Sequence, residues 1–158
     1  MTSVQTDRWD EVEAGFDLPP VPLTVPYSRV ASVMAVTWDY FPGHHDPDYA
    51  RRQGQPNIYL NTMFLSGFLD RVVTDWAGPS AFIRSRRLDM IRSVSVDDDL
   101  TGTATVTGKH VDDDGHRIVT VEVLAITRNG VASKGPVSFT WDRNPSWTER
   151  TTDEGGTR

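Results

Sequence analysis

Over residues 62–76, Phe64, Phe68, Val72 and Trp76 recur every fourth residue, and Leu65, Leu69 and Val73 form a second apolar row beside them. A surface helix shows one apolar stripe. Two adjacent rows make a wider face, so this helix has to lie largely buried. Gly78-Pro79 stops it. A narrower polar stripe, Thr62, Ser66, Asp70 and Thr74, runs along it at the same spacing. Such a helix needs a broad apolar surface to lie on, and this requirement constrains the fold more than any other feature of the chain.

The second half of the chain supplies that surface. Leu100, Gly102, Ala104 and Val106 alternate with four threonines; Val119, Val121, Val123 and Ala125 alternate with Thr120, Glu122, Leu124 and Ile126; Val137, Phe139 and Trp141 alternate with Ser138 and Thr140. A period of two, with Asp113-Asp114-Gly115 and Asn129-Gly130 as tight turns, predicts an antiparallel meander. Residues 82–94 read as a further strand with less regular alternation. Earlier, Leu18-Pro19-Pro20-Val21-Pro22 reads as a stiff extended lead-in, followed by a strand over 23–27 and a short helix over 29–37. Asp46-Pro47 then opens a short helix that ends at Gly54. The expected architecture is α+β: one long buried helix and an antiparallel sheet wrapped around it. At 158 residues this is one domain, spanning 14–145, with a flexible leader over 1–13 and a disordered tail over 146–158.

Composition narrows the function. The formal net charge of −6 lacks the basic surplus of a nucleic-acid binder and suits an anionic membrane surface poorly. The chain has no cysteine, which excludes disulfides, thiolate metal sites and a cysteine nucleophile, and fits a reducing cytoplasm. No run has the length of a membrane span, and the N-terminus has no apolar signal core.

The segment with the most chemistry is Trp38-Asp39-Tyr40-Phe41-Pro42-Gly43-His44-His45-Asp46-Pro47. Pro42 and Gly43 force a bend between an aspartate and a histidine five residues apart. A bent loop turns Asp39 and His44 toward one point, where they can share a water, as general acid–base chemistry requires. The bland alternative is an Asx-turn aspartate and a surface histidine. His44, His45, Asp46 and Asp48 lack metal-site spacing, so no metal is expected. His110 and His116 flank an ordinary hairpin turn. Arg84, Arg86 and Arg87 read as charged strand surface rather than an anion site. On the long helix, Ser66 and Asp70 need either buried partners or a wet cavity shared with Asp39 and His44.

These residues resemble a known family. The pattern Asp39-x-x-Pro42-x-His44-x-Asp46-x-x-x-Ala50 is similar to the signature of MaoC-like (R)-specific enoyl-CoA hydratases, Asp-x-Asn-Pro-(Ile/Leu)-His-x-Asp, and Phe64-Leu65-Ser66-Gly67-Phe68 resembles their Phe-Ser-Gly-Leu helix segment. The resemblance covers roughly residues 17–141 and implies the hot-dog fold, a dimer or larger assembly, and a thioester site between subunits. Ile58-Tyr59-Leu60-Asn61-Thr62 and Thr74-Asp75-Trp76-Ala77-Gly78-Pro79 are similar to segments of actinobacterial-type members, among them hydratase subunits of sterol side-chain breakdown, which implies a bulky acyl group. The chain departs from the signature at Phe41, where the family has asparagine, and at Gly43, where it has an aliphatic residue. The family's His-Gly pair at the mouth of the long helix corresponds to Asn57-Ile58.

The resemblance implies reversible hydration of a 2-enoyl thioester by water held on Asp39 and His44. An imidazole exchanges protons near neutral pH, which suits His44 as the shuttle. Backbone N–H groups of Ile58 or Tyr59, or others near the start of the long helix, would polarise the thioester oxygen, with Asn61 and Ser66 lining the pocket. CoA or phosphopantetheine is the substrate's handle, and no metal or redox cofactor is implied. Two alternatives stand beside this. One is a hot-dog thioesterase using Asp70 as its base. The other is a subunit active only with a second hot-dog chain.

Overall fold

The structure is a computed structural model and describes residues 7–142. Its elements are β1 (Asp17–Thr24), α1 (Tyr27–Thr37), α2 (Pro47–Arg52), α3 (Thr62–Ala77), β2 (Phe82–Arg86), β3 (Asp89–Met90), β4 (Asp99–Val111), β5 (Arg117–Thr127) and β6 (Gly130–Thr140). The strands form one antiparallel sheet in the order β1-β4-β5-β6-β2, with β3 also paired to β6. The chain is α+β, as the two periodicities predict. Among the described residues no helix is long and apolar enough to cross a membrane.

The alternating residues of β4, β5 and β6 bury the face that the pattern assigns to the interior. Helix α3 lies across that face with Leu65, Phe68, Leu69, Val72 and Val73 buried. Contact is tight at Gly102 on β4, where even a methyl would stand 2.2 Å from Val72 Cγ2 and 3.1 Å from the Phe68 ring. The far end of α3 is tied down by the Trp141 indole N–H, which donates to the carbonyl of Ala77 at 2.9 Å. Asn61 caps its start, accepting the N–H of Phe64 on Oδ1 at 2.9 Å.

The structure corrects the sequence reading at three places. The strand expected over 23–27 is instead β1, and the proline-rich lead-in is most of it. β1 is the edge of the sheet, and its register with β4 shifts between Leu18 and Val21. An edge position or a bulge is where a strand tolerates proline. The strand expected over 82–94 is two, β2 and β3, because β6 carries Gly135-Pro136 opposite the break. Proline has no N–H for the ladder, and a Cβ at Gly135 would stand 2.1 Å from the Arg87 carbonyl oxygen.

The third correction concerns the leader over 1–13, which is not loose where it is described. Trp9–Glu11 form a 3-10 turn and Val12 is fully buried in the core. Arg117 holds the segment: its guanidinium donates to Asp7 at 2.6 Å and to Asp142 at 2.6 Å. Lys109 adds a bond to the Trp9 carbonyl at 3.1 Å. The tail over 146–158 lies outside the described residues.

Candidate active site

Helix α1 ends at Trp38, whose left-handed backbone (φ 57°) turns the chain sharply before Asp39. Pro42–His44 then form a 3-10 turn, closed by the His44 N–H on the Phe41 carbonyl at 3.0 Å. Asp46 caps α2, accepting the N–H groups of Asp48 and Tyr49 at 2.9 and 3.0 Å. The Tyr49 hydrogen bond is the largest cause holding the Asp46 carboxyl below the ordinary range. Caps at both ends of the loop fix the bend that Pro42-Gly43 predicts.

Within it, Asp39 Oδ2 lies 3.3 Å from His44 Nε2. His44 is 7% exposed, and its Nδ1 is 2.7 Å from the carbonyl oxygen of Tyr59. A carbonyl only accepts, so Nδ1 carries a hydrogen. In the neutral ring Nε2 is then a bare lone pair facing a carboxylate oxygen. Two acceptors 3.3 Å apart need a hydrogen between them. A hydrogen on either group meets that need, and so does a water that donates one hydrogen to each and turns its own lone pairs outward. Asp39 remains partly open to solvent and its other oxygen receives the Phe41 N–H at 3.4 Å, so one face of the pair is accessible.

The remaining residues singled out from the sequence divide. The N–H groups of Ile58 and Tyr59, expected to be available to a thioester, are occupied: Ile58 donates to Asn57 Oδ1 at 2.9 Å and Tyr59 to the Gly43 carbonyl at 3.2 Å. Residues 58–60 run extended beside 94–96, and the mouth of α3 is Asn61-Thr62, not Asn57-Ile58. Asn61 is 2% exposed and bonded inside the protein. Besides capping α3, its Nδ2 donates to Thr37 Oγ1 at 2.7 Å and so ties α3 to the end of α1. Ser66 is half-buried one turn into α3.

Asp70 receives a hydrogen bond from Arg86, and burial pushes its carboxyl up against that opposing charge. Arg84 pairs with Asp112 at 3.6 Å and Arg87 with Asp89 at 3.0 Å, so all three arginines are engaged with carboxylates. The cluster at His44–Asp48 is dispersed by the Asp46 cap and an Asp48–Arg51 pair at 2.7 Å. At the β4–β5 turn, Asp112, Asp114 and His116 bring ligand-type atoms within 4.8 Å of one another. Asp112 there accepts the N–H groups of Asp114 and His116, which is the geometry of a capped hairpin.

Sequence reasoning missed the side chains of Tyr59 and Gln53. The Tyr59 ring packs edge-on against the imidazole, centroids 5.1 Å apart, and its hydroxyl donates to Gln53 Oε1 at 2.9 Å. Burial pushes the Tyr59 phenol up, which keeps it a donor. The one signal in the sequence was the glycine at 43, where a side chain is usual.

Comparison with known proteins gives three kinds of finding. The family model described as MaoC like domain matches residues 11–129. The chain is 41% identical over 71 residues to the 3-oxo-4,17-pregnadiene-20-carboxyl-CoA hydratase beta subunit of Mycobacterium tuberculosis, a match spanning 45% of this chain and 55% of that protein. Among solved structures, a chain of the ChsH1-ChsH2 complex from Mycobacterium tuberculosis aligns with a TM-score of 0.73 and 32% identity, covering 80% of this chain and 96% of that one. The (R)-hydratase from A. caviae involved in PHA biosynthesis aligns with a TM-score of 0.71 and 21% identity over 82% of this chain and 96% of that one. That likeness shows the hot-dog fold.

Proposed function

The chain belongs to the MaoC-like hydratase/dehydratase family, and on that premise we propose that it adds water reversibly across the double bond of a 2-enoyl thioester. The observation that carries this is the facing of Asp39 Oδ2 and His44 Nε2 across 3.3 Å with His44 Nδ1 committed to a carbonyl. A water donating to both is held with its oxygen lone pair free for attack. Its oxygen bonds to the β-carbon, and the double-bond electrons move toward the thioester oxygen. The proton it loses passes to the pair. His44 Nε2 returns a proton to the α-carbon, so the net change is the addition of one water.

Negative charge develops on the thioester oxygen during attack and needs donors already in place. With the Ile58 and Tyr59 N–H groups occupied, we assign this role to the first turn of α3. The N–H groups of Thr62 and Met63 have no acceptor within the helix, whereas Asn61 already serves that of Phe64. The aromatic flanks of Asp39, Trp38 at 80% exposed and Tyr40 at 57%, offer area to a large apolar acyl group. The steroid-like substrate named for the beta-subunit relative agrees with that. CoA or a carrier phosphopantetheine is the handle in this proposal. A second hot-dog chain, as in the ChsH1-ChsH2 complex, is the assembly we expect.

Hydrolysis by Asp70 is a poorer fit. Its carboxylate is paired with Arg86, about two helical turns along α3 from the mouth. The test is loss of enoyl-thioester absorbance with short, medium and ring-bearing acyl groups, for wild type, Asp39→Asn and His44→Ala. Turnover by wild type that both variants lose, without release of free thiol, supports hydration. Thiol release points to a thioesterase. A well-folded wild type that turns over nothing, alone or with a co-expressed second hot-dog chain, refutes the proposal.

A further inference from the structure

We propose that the Tyr59 side chain is the positioning residue of the Asp39–His44 pair, acting as a wedge in the space that Gly43 leaves empty. The backbone at Gly43 does not require glycine, because its φ lies outside the left-handed region. Space does require it. A Cβ there would stand 2.4 Å from the Tyr59 hydroxyl oxygen, 2.7 Å from Cζ and 2.9 Å from Phe41 Cε1. A side chain at 43 and this ring at 59 exclude each other, so the two positions form one unit.

The unit bears on His44 from several directions. The Tyr59 carbonyl fixes the Nδ1 hydrogen, and the Tyr59 N–H grips the Gly43 carbonyl at 3.2 Å, binding the loop to the 58–60 segment. The Tyr59 ring meets the imidazole edge-on at 80°, and Phe41 meets it at 63° with centroids 5.6 Å apart. Phe41 in turn packs on Tyr49, centroids 5.5 Å apart, and Gln53 holds the Tyr59 hydroxyl. The imidazole thus stands between two rings, each anchored on α2 or the residue that caps it. The direction of Nε2 toward Asp39 follows from that packing. A hydrogen bond at Nδ1 alone leaves the ring free to swing about its line.

The inference deepens the proposed role of His44 and rests on it. The test is histidine-labelled NMR of the full chain, together with its partner chain if one is needed for solubility, with His44 assigned by His44→Ala. Wild type is expected to show a single Nδ1–H tautomer. Tyr59→Leu removes the ring at similar bulk, and Gly43→Val forces a side chain against it. Each should shift and broaden the His44 ring signals, because the imidazole swings about a hydrogen bond to the backbone carbonyl that both variants keep. With an active substrate each should lower kcat about 10- to 100-fold, the cost of a misplaced catalytic group, with little change in KM. Tyr59→Phe keeps the ring but gives up its bond to Gln53, and its His44 spectrum should lie between those of wild type and Tyr59→Leu.

A Tyr59→Leu protein with the wild-type His44 ring signals and kcat overturns the proposal, as does a harmless Gly43→Val. If Tyr59→Leu fails to fold by circular dichroism, Gly43→Ala asks the same question with the ring in place. The NMR arm needs no turnover. Expected spectra without activity on any thioester therefore remove the proposed reaction while leaving the wedge intact.

Discussion

Gly102→Ala adds one methyl to the centre of the sheet, and the structure says what it meets. The new carbon would stand 2.2 Å from Val72 Cγ2, about 1.3 Å inside the roughly 3.5 Å at which carbon atoms rest (3.5 − 2.2). Val72 is fully buried and β-branched on a helix, so it has nearly one rotamer and nowhere to turn. Relief has to come from lifting α3 off β4, and overpacking of this kind costs about 1–3 kcal/mol. Val72→Ala alone removes two buried methyls and should cost about 2–3 kcal/mol. In the double variant the alanine methyl at 102 occupies part of the volume that the valine vacates. Its cost should fall short of the sum by at least about 1 kcal/mol, beyond the 0.3–0.5 kcal/mol scatter of independent sites.

Urea unfolding followed by tryptophan fluorescence measures all three. Gly67→Ala is the control. That glycine is exposed in the same helix with nothing within 4 Å of its Cβ, so the same chemical change should stabilise by about 0.5–1 kcal/mol. A neutral Gly102→Ala, or an additive double variant, would refute the claim that this contact sets how closely the helix approaches the sheet.

Asn61→Ala removes the α3 cap and the bond to Thr37, and should cost about 1–3 kcal/mol in urea unfolding, the sum of a cap and a buried hydrogen bond. Trp38→Ser, at a residue 80% exposed, should leave the thermal midpoint within experimental scatter. It should raise KM for a ring-bearing enoyl thioester about tenfold while sparing a short-chain one; equal effects on both would refute the acyl-contact role. Hydrogen bonds from Arg117 hold the Asp142 carboxyl below its usual 3.8. A depressed carboxylate lends its stability in full above that value and loses it as pH falls through the lower folded one. The difference in thermal midpoint between wild type and Arg117→Met should therefore be full near neutrality and shrink below about pH 4. A difference that is constant through acid would contradict the clasp.

What could be seen in the sequence was whatever depends on local period. The two rows of α3 and the alternation of β4 to β6 required a helix on a sheet, and Pro42-Gly43 required a bend that draws Asp39 and His44 together. What could not be seen depends on contacts between distant segments. The prolines of β1 sit in a strand because that strand is an edge, a fact of sheet order. Val12 and Trp9 pack because Lys109 and Arg117, far along the chain, reach back to hold their segment. The bond from Asn61 to Thr37 was invisible because the two are 24 positions apart. The glycine at 43 stood out as a departure, but only the ring of Tyr59 lying over it supplies the reason.

Arg117 has a consequence beyond stability. One guanidinium holds both Asp7 and Asp142, so the path of the chain through the fold closes almost into a ring. Asp7 and Asp142, 135 positions apart in the chain, are thereby brought to one patch of the surface. A chain joined at that patch and reopened between α3 and β2 should keep every pairing of the sheet.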